Sequence, residues 1–174
     1  CWDIFDPQTA SILVNNGNLQ VQPDTMNSAW WIGSPLGLTR GFLMSRHIQG
    51  DFSVVTKAKA THMDDDMSPP VTSNGSYKMA GLFMRRYPDD DAQENWVKLE
   101  VGFRGPGLMN GVTSVQPMGI LGGVARGPDA TQLHPYQADY HYESWLGMCR
   151  DGNNIFLMFR YEDAGAFTRQ PDDF

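Results

Sequence analysis

Two stretches of the sequence place tryptophans among charged residues at strand spacing. In the segment 96–104, alternation puts an apolar set on one face of a strand and Trp96 among charged residues on the other. In the segment 140–161, Trp145 shares a face with charged residues and a histidine if the two halves form a hairpin. An indole stacks on the apolar face of a pyranose and charged groups bond its hydroxyls, which makes these residues candidates for carbohydrate binding: Trp96, Lys98, Glu100, Arg104, His141, Glu143, Trp145 and Arg160.

The partners within this second stretch depend on its turn. With Asp151 and Gly152 as a two-residue turn, the core face is predicted to pair Met148 with Ile155, Leu146 with Leu157 and Ser144 with Phe159. The outer face would then place Trp145 beside Met158, Glu143 beside Arg160 and His141 beside Glu162. A one-residue error in turn length would exchange the two faces. The alternative interpretation is that the tryptophans lie under a long loop and the charges form cross-strand pairs.

Two acidic runs are candidates for binding a metal ion. Calcium takes six to eight oxygen ligands, and loops rich in carboxylates and backbone carbonyls supply them. The residues in question are Asp64, Asp65, Asp66, Asp89, Asp90 and Asp91. Such runs are more often solvated loop tips, so calcium is one of two interpretations here. The four histidines show no short metal-ligand spacing, which gives zinc little support.

The elements that would position these residues are strands. Apolar residues alternate with period two in several segments, most clearly in 51–61, and no long stretch keeps a helical period, so the sequence predicts an all-β fold. Asn16-Gly17 and Asp151-Gly152 are hairpin signals between apolar runs. The predicted strands are 19–22, 41–48, 51–61, 78–86, 96–104, 111–121, 140–150 and 154–161, separated by long loops at 63–76, 87–95 and 126–139.

Length and charge limit the classes of protein that remain. The 174 residues suit one domain spanning 1–174, and 41% hydrophobic residues favour a soluble globular domain over a disordered chain. No apolar run approaches the roughly 20 residues of a transmembrane helix. A net charge of −7 is unlike that of a nucleic-acid binder and leaves neutral or cationic ligands.

Several strand motifs resemble those of bacterial concanavalin A-like lectin/glucanase domains, nearest the branch attached to family 43 xylosidases or found in secreted proteins of unassigned role. The resemblance covers residues 12–168 and is carried by Asn16-Gly17-Asn18-Leu19, Gly50-Asp51-Phe52-Ser53-Val54, Ala80-Gly81-Leu82, Asn95-Trp96-Val97-Lys98-Leu99-Glu100, Trp145-Leu146 and Arg150-Asp151-Gly152-Asn153. It implies a two-sheet antiparallel jelly-roll sandwich whose concave sheet binds glycans, sometimes with calcium at its edge. The sequence departs from the family in lacking a final strand after Phe167-Thr168.

The family's catalytic patterns are not complete in the sequence. Its glycoside hydrolases share a Glu-x-Asp-x-Glu strand, which does not occur here, and its lyases share a Gln-x-His strand and an Arg-x-Glu-x-Arg strand. Gln132-Leu133-His134 matches the shorter lyase pattern but falls in the predicted loop 126–139, and the longer pattern does not occur. Glu94 and Glu100 lie six residues apart, about 20 Å along a strand, whereas paired carboxylates work at about 5 to 10 Å. A cross-strand pair of Glu100 with Glu143 is the catalytic alternative. Catalysis is therefore the less favoured interpretation.

The termini leave compartment and assembly open. Cys1 is a lipid-attachment cysteine, a disulfide partner of Cys149 or an arbitrary starting point, and the polar tail 170–174 is typical of a fragment. The favoured hypothesis is a non-catalytic, glycan-binding module of a secreted or cell-envelope protein. Its main rival is a structural module that forms homo-oligomers or larger assemblies by pairing an open edge strand with a partner.

Overall fold

The regular structure of this chain is built from strands. The computed structural model describes residues 2–5, 10–23, 42–61, 78–85, 96–103, 113–121, 124–126, 143–161 and 165–169. All regular elements in these ranges are strands, which confirms the all-β prediction. They are β1 Asp3–Phe5, β2 Ala10–Asn15, β3 Asn18–Pro23, β4 Leu43–Ser45, β5 Phe52–Lys59, β6 Lys78–Arg85, β7 Trp96–Phe103, β8 Thr113–Leu121, β9 Val124–Arg126, β10 Glu143–Asp151, β11 Asn154–Arg160 and β12 Thr168–Arg169.

The chain divides into two compact units, and the first is Cys1–Gln49. It holds a short antiparallel pair, β1 with β4, and a hairpin of β2 with β3. The hairpin turn is Asn16-Gly17, with φ values of 49° and 77°. Positive φ at both positions is what a type I′ turn requires, and this confirms the hairpin predicted from that dipeptide.

The second unit, Gly50–Phe174, contains two four-stranded sheets. One is an antiparallel meander in the order β6-β7-β8-β9, and the other has the order β12-β11-β10-β5. The pairing of β5 with β10 joins segments that lie far apart in the sequence, with Lys57 opposite Trp145. Both sheets are fully antiparallel across the described strands.

One hydrophobic core is shared by the two sheets of this unit. It contains alternate residues of the central strands, with exposures of 0 to 3%: Val97, Leu99, Val101, Leu146, Met148, Leu157 and Phe159. Because side chains on a strand point alternately to its two faces, the intervening residues of β7 and β10 point away from this core. The predicted interior positions of β7 and β10 are therefore confirmed, and so is the alternation in β5, where every second residue is half-buried.

The turn between β10 and β11 differs from its prediction by one residue. Asp151 pairs with Asn154, so the two turn residues are Gly152 and Asn153, and Gly152 has a φ of 59°. Glycine at the first turn position meets the positive-φ requirement of a type II′ turn. The amide of Gly152 also donates a 2.7 Å hydrogen bond to Oδ1 of Asp51, which ties the turn to the start of β5.

This correction moves the pairing along the strands by two residues. Trp145 lies opposite Arg160, and Met158 lies opposite Gly147 rather than opposite Trp145 as predicted. Two is an even number, so every side chain keeps its predicted face although its neighbour changes. The division into core and outer faces is right, but the predicted cross-strand pairs are wrong: Glu143 with Arg160, Met148 with Ile155, Leu146 with Leu157 and Ser144 with Phe159.

No helix long and apolar enough to cross a membrane occurs in the described part of the chain. The three long loops predicted at 63–76, 87–95 and 126–139 fall almost wholly outside the described residues. The prediction of a single domain over 1–174 stays a prediction.

Candidate functional site

The predicted carbohydrate-binding residues are distributed over two separate faces of the second unit. The outer face of β5, β10 and β11 carries Lys57, Lys59, Glu143, Trp145 and Arg160, and is called the Trp145 face below. The outer face of β6 and β7 carries Gly81, Phe83, Trp96, Lys98 and Glu100, and is called the Trp96 face. Arg104 and His141 lie outside the described residues, as do the six aspartates proposed for calcium.

Trp145 occupies the middle of a row that runs across three strands. Its direct partners in the sheet are Lys57 on β5 and Arg160 on β11. Nζ of Lys57 lies 5.8 Å and Cζ of Arg160 lies 5.3 Å from the centroid of the indole ring. Both distances are within the range of cation–π attraction, so the half-buried ring is flanked by a cation from each neighbouring strand.

Glu143 lies at one end of the Trp145 face and forms ion pairs with two lysines. Oε1 of Glu143 lies 2.6 Å from Nζ of Lys57, and Oε2 lies 3.7 Å from Nζ of Lys59. About a third of each of these side chains is exposed, so water screens the ion pairs and lowers their contribution to stability. The three groups present donors and an acceptor to solvent beside the indole ring.

Arg160 is fixed in place by the residues that follow β11. Its Nη1 donates a 3.1 Å hydrogen bond to the carbonyl of Gly165, and its Cζ lies 4.9 Å from the ring centroid of Phe167. The guanidinium is thus held between two aromatic rings, those of Trp145 and Phe167. Arg169 adds a second arginine to the same side of the sheet, with its Cζ 4.3 Å from the ring centroid of Phe156.

A buried serine on β10 secures the backbone beneath this row. The hydroxyl of Ser144 has no exposed surface and donates a 3.0 Å hydrogen bond to the carbonyl of Arg160. A buried hydroxyl needs such a partner, and this one links the start of β10 to the end of β11. The bond therefore helps to keep Trp145 and Arg160 side by side.

A methionine side chain covers the Trp145 face next to the tryptophan. Gly147 has no side chain, and the side chain of Met158 lies over it, with Cε 3.3 Å from the position a Cβ would take. Cys149 follows on the same face as a free thiol whose Sγ is 3.1 Å from Oγ of Ser53. Cys1, for which a disulfide with Cys149 was one of three interpretations, lies outside the described residues.

The Trp96 face has the same residue types in a different setting. Trp96 is only 6% exposed, and its ring stacks on that of Phe83, with centroids 6.0 Å apart. Nζ of Lys98 lies 2.6 Å from Oε2 of Glu100, and the two side chains are 12% and 21% exposed. The prediction placed Trp96 correctly on the outer face, but its ring is covered and offers little surface for a ligand.

The two carboxylates of the catalytic alternative do not come together. Glu100 points away from the core on β7 and Glu143 points away from it on β10, so they lie on opposite outer faces of the two layers. Packed sheets are about 10 Å apart before side chains are added, and paired carboxylates work at about 5 to 10 Å. Within the described ranges, no three His, Cys, Asp or Glu side chains are grouped to hold a metal ion.

Sequence reasoning missed Lys57 and Lys59 as neighbours of Trp145. The alternation of 51–61 places both on the solvent face of their strand, but no signal in the sequence pairs that strand with β10. The sequence did not indicate the pairing of β5 with β10, because strand periodicity does not encode contacts between segments more than 80 residues apart.

Comparison with known proteins found no match of any kind. No family model, no curated protein and no solved structure matches this chain. The function is therefore inferred from the site itself.

Proposed function

We propose that this protein is a non-catalytic carbohydrate-binding module that holds a glycan on the Trp145 face. The observation that carries the proposal is the row of Lys57, Trp145 and Arg160, with Glu143 at its end. It combines a half-buried indole with both donors and acceptors of hydrogen bonds. Such a combination suits a sugar ring, which has an apolar face and a rim of hydroxyls.

The rest of the proposal concerns the fold and its setting. The motifs at 16–19, 50–54 and 145–153 resemble those of concanavalin A-like domains, and a jelly-roll arrangement of the two sheets is proposed on that ground. A module of this kind would belong to a secreted or cell-envelope protein. The proposal also includes calcium at the two aspartate runs and lipid attachment at Cys1.

Retention on insoluble polysaccharides tests the glycan site. Trp145→Ala removes the indole from the Trp145 face, and the variant is expected to lose retention while its unfolding temperature shows that the fold persists. Trp2→Ala is the matched control, because Trp2 is 55% exposed and lies in the other compact unit. Unchanged retention by Trp145→Ala would overturn the site assignment. Repeating the assay with calcium and with a chelator tests the metal.

A second candidate function is favoured by the hairpin of β2 and β3. Five large apolar side chains of this hairpin are between 38% and 72% exposed: Ile12, Leu13, Val14, Leu19 and Val21. Among the described strands, β2 and β3 pair only with each other as a two-stranded sheet, so each has an edge that no other described strand pairs with. Exposed apolar strands with open edges are suited to pairing with another chain. The candidate is a structural module that assembles through this hairpin.

Light scattering over a range of protein concentrations separates the two functions. Assembly through the hairpin predicts a mass that rises with concentration and returns to that of a monomer in the double variant Leu13→Lys, Val14→Asp. Ser11→Lys, Gln22→Asp is the matched control, since it places the same charges at polar positions of the same hairpin. A constant monomeric mass for the unaltered chain would remove this candidate.

A further inference from the structure

We propose that the glycan recognised by the Trp145 face is acidic, with carboxylate or sulfate groups on its sugars. This inference rests on the proposed function and specifies its ligand class. It follows from the two cations that lie near the ring of Trp145 and from the basic side chains on the same face.

The indole of Trp145 is not an empty platform. A cation lies near it from each neighbouring strand, with Nζ of Lys57 at 5.8 Å and Cζ of Arg160 at 5.3 Å from the ring centroid. A neutral pyranose that stacks on the ring competes with these cations for it and offers a displaced cation only hydroxyls in return. An acidic sugar supplies a carboxylate or sulfate that pairs with the displaced cation, and such charge-assisted bonds are about twice as strong as neutral ones.

Basic side chains predominate among the described residues of the Trp145 face around the row. They are Lys57, Lys59, Arg160 and Arg169, beside the carboxylate of Glu143. The chain as a whole has a net charge of −7. These cations attract anionic ligands locally although the net charge of the chain repels them, and the attraction is expected to weaken as salt is added.

Glu143 occupies the place that an anionic ligand would compete for. Its carboxylate bridges the ammonium groups of Lys57 and Lys59 at 2.6 and 3.7 Å. These distances show that the two lysines accept a carboxylate between them, and the partial exposure of all three side chains leaves the site open to exchange with solvent.

A nucleic acid offers the same negative charge but fits the face less well. Proteins that bind single strands combine extended basic grooves with several stacking rings. Here the described part of the face has one tryptophan, flanked on each side by a cation, and not a series of stacking rings along a basic groove. We therefore expect RNA to bind more weakly than an acidic glycan.

The test compares polysaccharides that share a backbone and differ in charge, using the full chain. Polygalacturonate is paired with its methyl ester, and chondroitin sulfate with unsulfated chondroitin; polyglutamate and a homopolymeric RNA serve as anions without sugar acids. The expected result is binding to an acidic glycan at least tenfold tighter than to its less charged partner, weakened by salt, with neither polyglutamate nor RNA bound as tightly.

Two charge-removing variants locate the effect. Lys57→Gln and Arg160→Gln are each expected to weaken acidic-glycan binding by about tenfold, the cost of one charge-assisted bond. Arg46→Gln is the matched control, because it removes an equal charge from an exposed position in the other unit. An equal loss in all three variants would overturn the proposal, since it would show a general charge effect.

The outcomes also separate this inference from the proposed function. Equal binding of the charged and less charged polysaccharides, lost in Trp145→Ala, overturns the acidic ligand and keeps the glycan site. Binding to polyglutamate or RNA as tight as to the glycans overturns the sugar-specific claim. The absence of binding to every polysaccharide overturns both the acidic ligand class and the glycan site.

Discussion

The two outer faces of the second unit contain the same kinds of residue and differ in what surrounds them. Each has a tryptophan, a lysine and a glutamate, which all lie on β7 in the Trp96 face and are divided between β5 and β10 in the Trp145 face. On the Trp96 face the indole stacks on Phe83 and is 6% exposed. On the Trp145 face the indole lies half-buried between two cations. Residue type alone therefore does not decide how far a tryptophan is exposed, because its exposure depends on the residues that neighbouring strands place beside it.

The two tryptophans therefore contribute to different properties of the protein. A ring that packs against another ring and is removed from water stabilises the fold through its buried area. A ring that remains partly exposed between cations contributes less to folding and stays accessible to a ligand. The predictions that follow test this division, beginning with the largest expected effect.

Removing the two tryptophans one at a time should have opposite consequences. Trp96→Ala deletes a buried indole and is expected to lower the free energy of unfolding by about 3 to 5 kcal/mol, whereas Trp145→Ala should cost about 1 to 2 kcal/mol. Urea unfolding followed by circular dichroism measures both. The division between the faces fails if Trp145→Ala destabilises the fold as much as Trp96→Ala does.

The glycines on the two faces provide a second contrast. A Cβ at Gly81 would lie 2.7 Å from Cα of Glu100 and would also collide with the carbonyl oxygen of Leu99. These are backbone atoms of β7 and cannot rotate away, so Gly81→Ala is expected to cost about 3 kcal/mol by forcing β6 and β7 apart.

Gly147→Ala is the matched substitution on the Trp145 face. Its Cβ would meet only the flexible end of Met158, with Cε at 3.3 Å, and a rotation of that side chain relieves the contact. We expect a loss below about 1 kcal/mol in the same unfolding experiment. An equal loss in the two alanine variants would show that the Trp145 face is packed as tightly as the Trp96 face.

The ion pair on the Trp96 face should matter more than its counterpart. Glu100→Gln leaves the ammonium of Lys98, 12% exposed, without the carboxylate that lies 2.6 Å away. We expect a loss of about 2 kcal/mol, because a largely buried charge retains the cost of its desolvation when its partner is removed.

A double variant separates charge from packing at this pair. Lys98→Met, Glu100→Leu removes both charges, and apolar replacements of a buried pair are often neutral or stabilising. Its free energy of unfolding should therefore lie above that of Glu100→Gln. A double variant less stable than the single one would indicate that the pair itself, and not the desolvation of Lys98, stabilises this face.

The core and the division of faces were predictable from the sequence because strands alternate with period two. Val97, Leu99 and Val101 form an uninterrupted apolar set, and their burial followed directly. The turn at Gly152-Asn153 was predicted one residue early, which shifted the register by two and kept each side chain on its face. Because side chains alternate with period two, an error of two residues in the register changes each side chain's neighbour but not its face.

The surroundings of the two tryptophans were not predictable in the same way. Phe83 covers Trp96 from β6, and Lys57 reaches Trp145 from β5, a strand more than 80 residues away in sequence. Both contacts depend on which strands become neighbours, a choice made by the tertiary fold. The short strands β1, β9 and β12 were missed as well, since two or three residues are too few to show a period.

The smallest expected change in stability is also the most informative about the ligand. Glu143→Gln removes a carboxylate that is 36% exposed, so the free energy of unfolding should change by less than about 1 kcal/mol. The same change removes the carboxylate that bridges the ammonium groups of Lys57 and Lys59 beside Trp145.

Affinity for an acidic glycan should then rise severalfold in Glu143→Gln, and affinity for its less charged partner should stay constant, as isothermal titration of both would show. If Glu143 instead accepts hydrogen bonds from sugar hydroxyls, affinity for both polysaccharides falls together. The direction of this one change therefore distinguishes a carboxylate that holds the place of a ligand's acid group from one that binds the sugar itself.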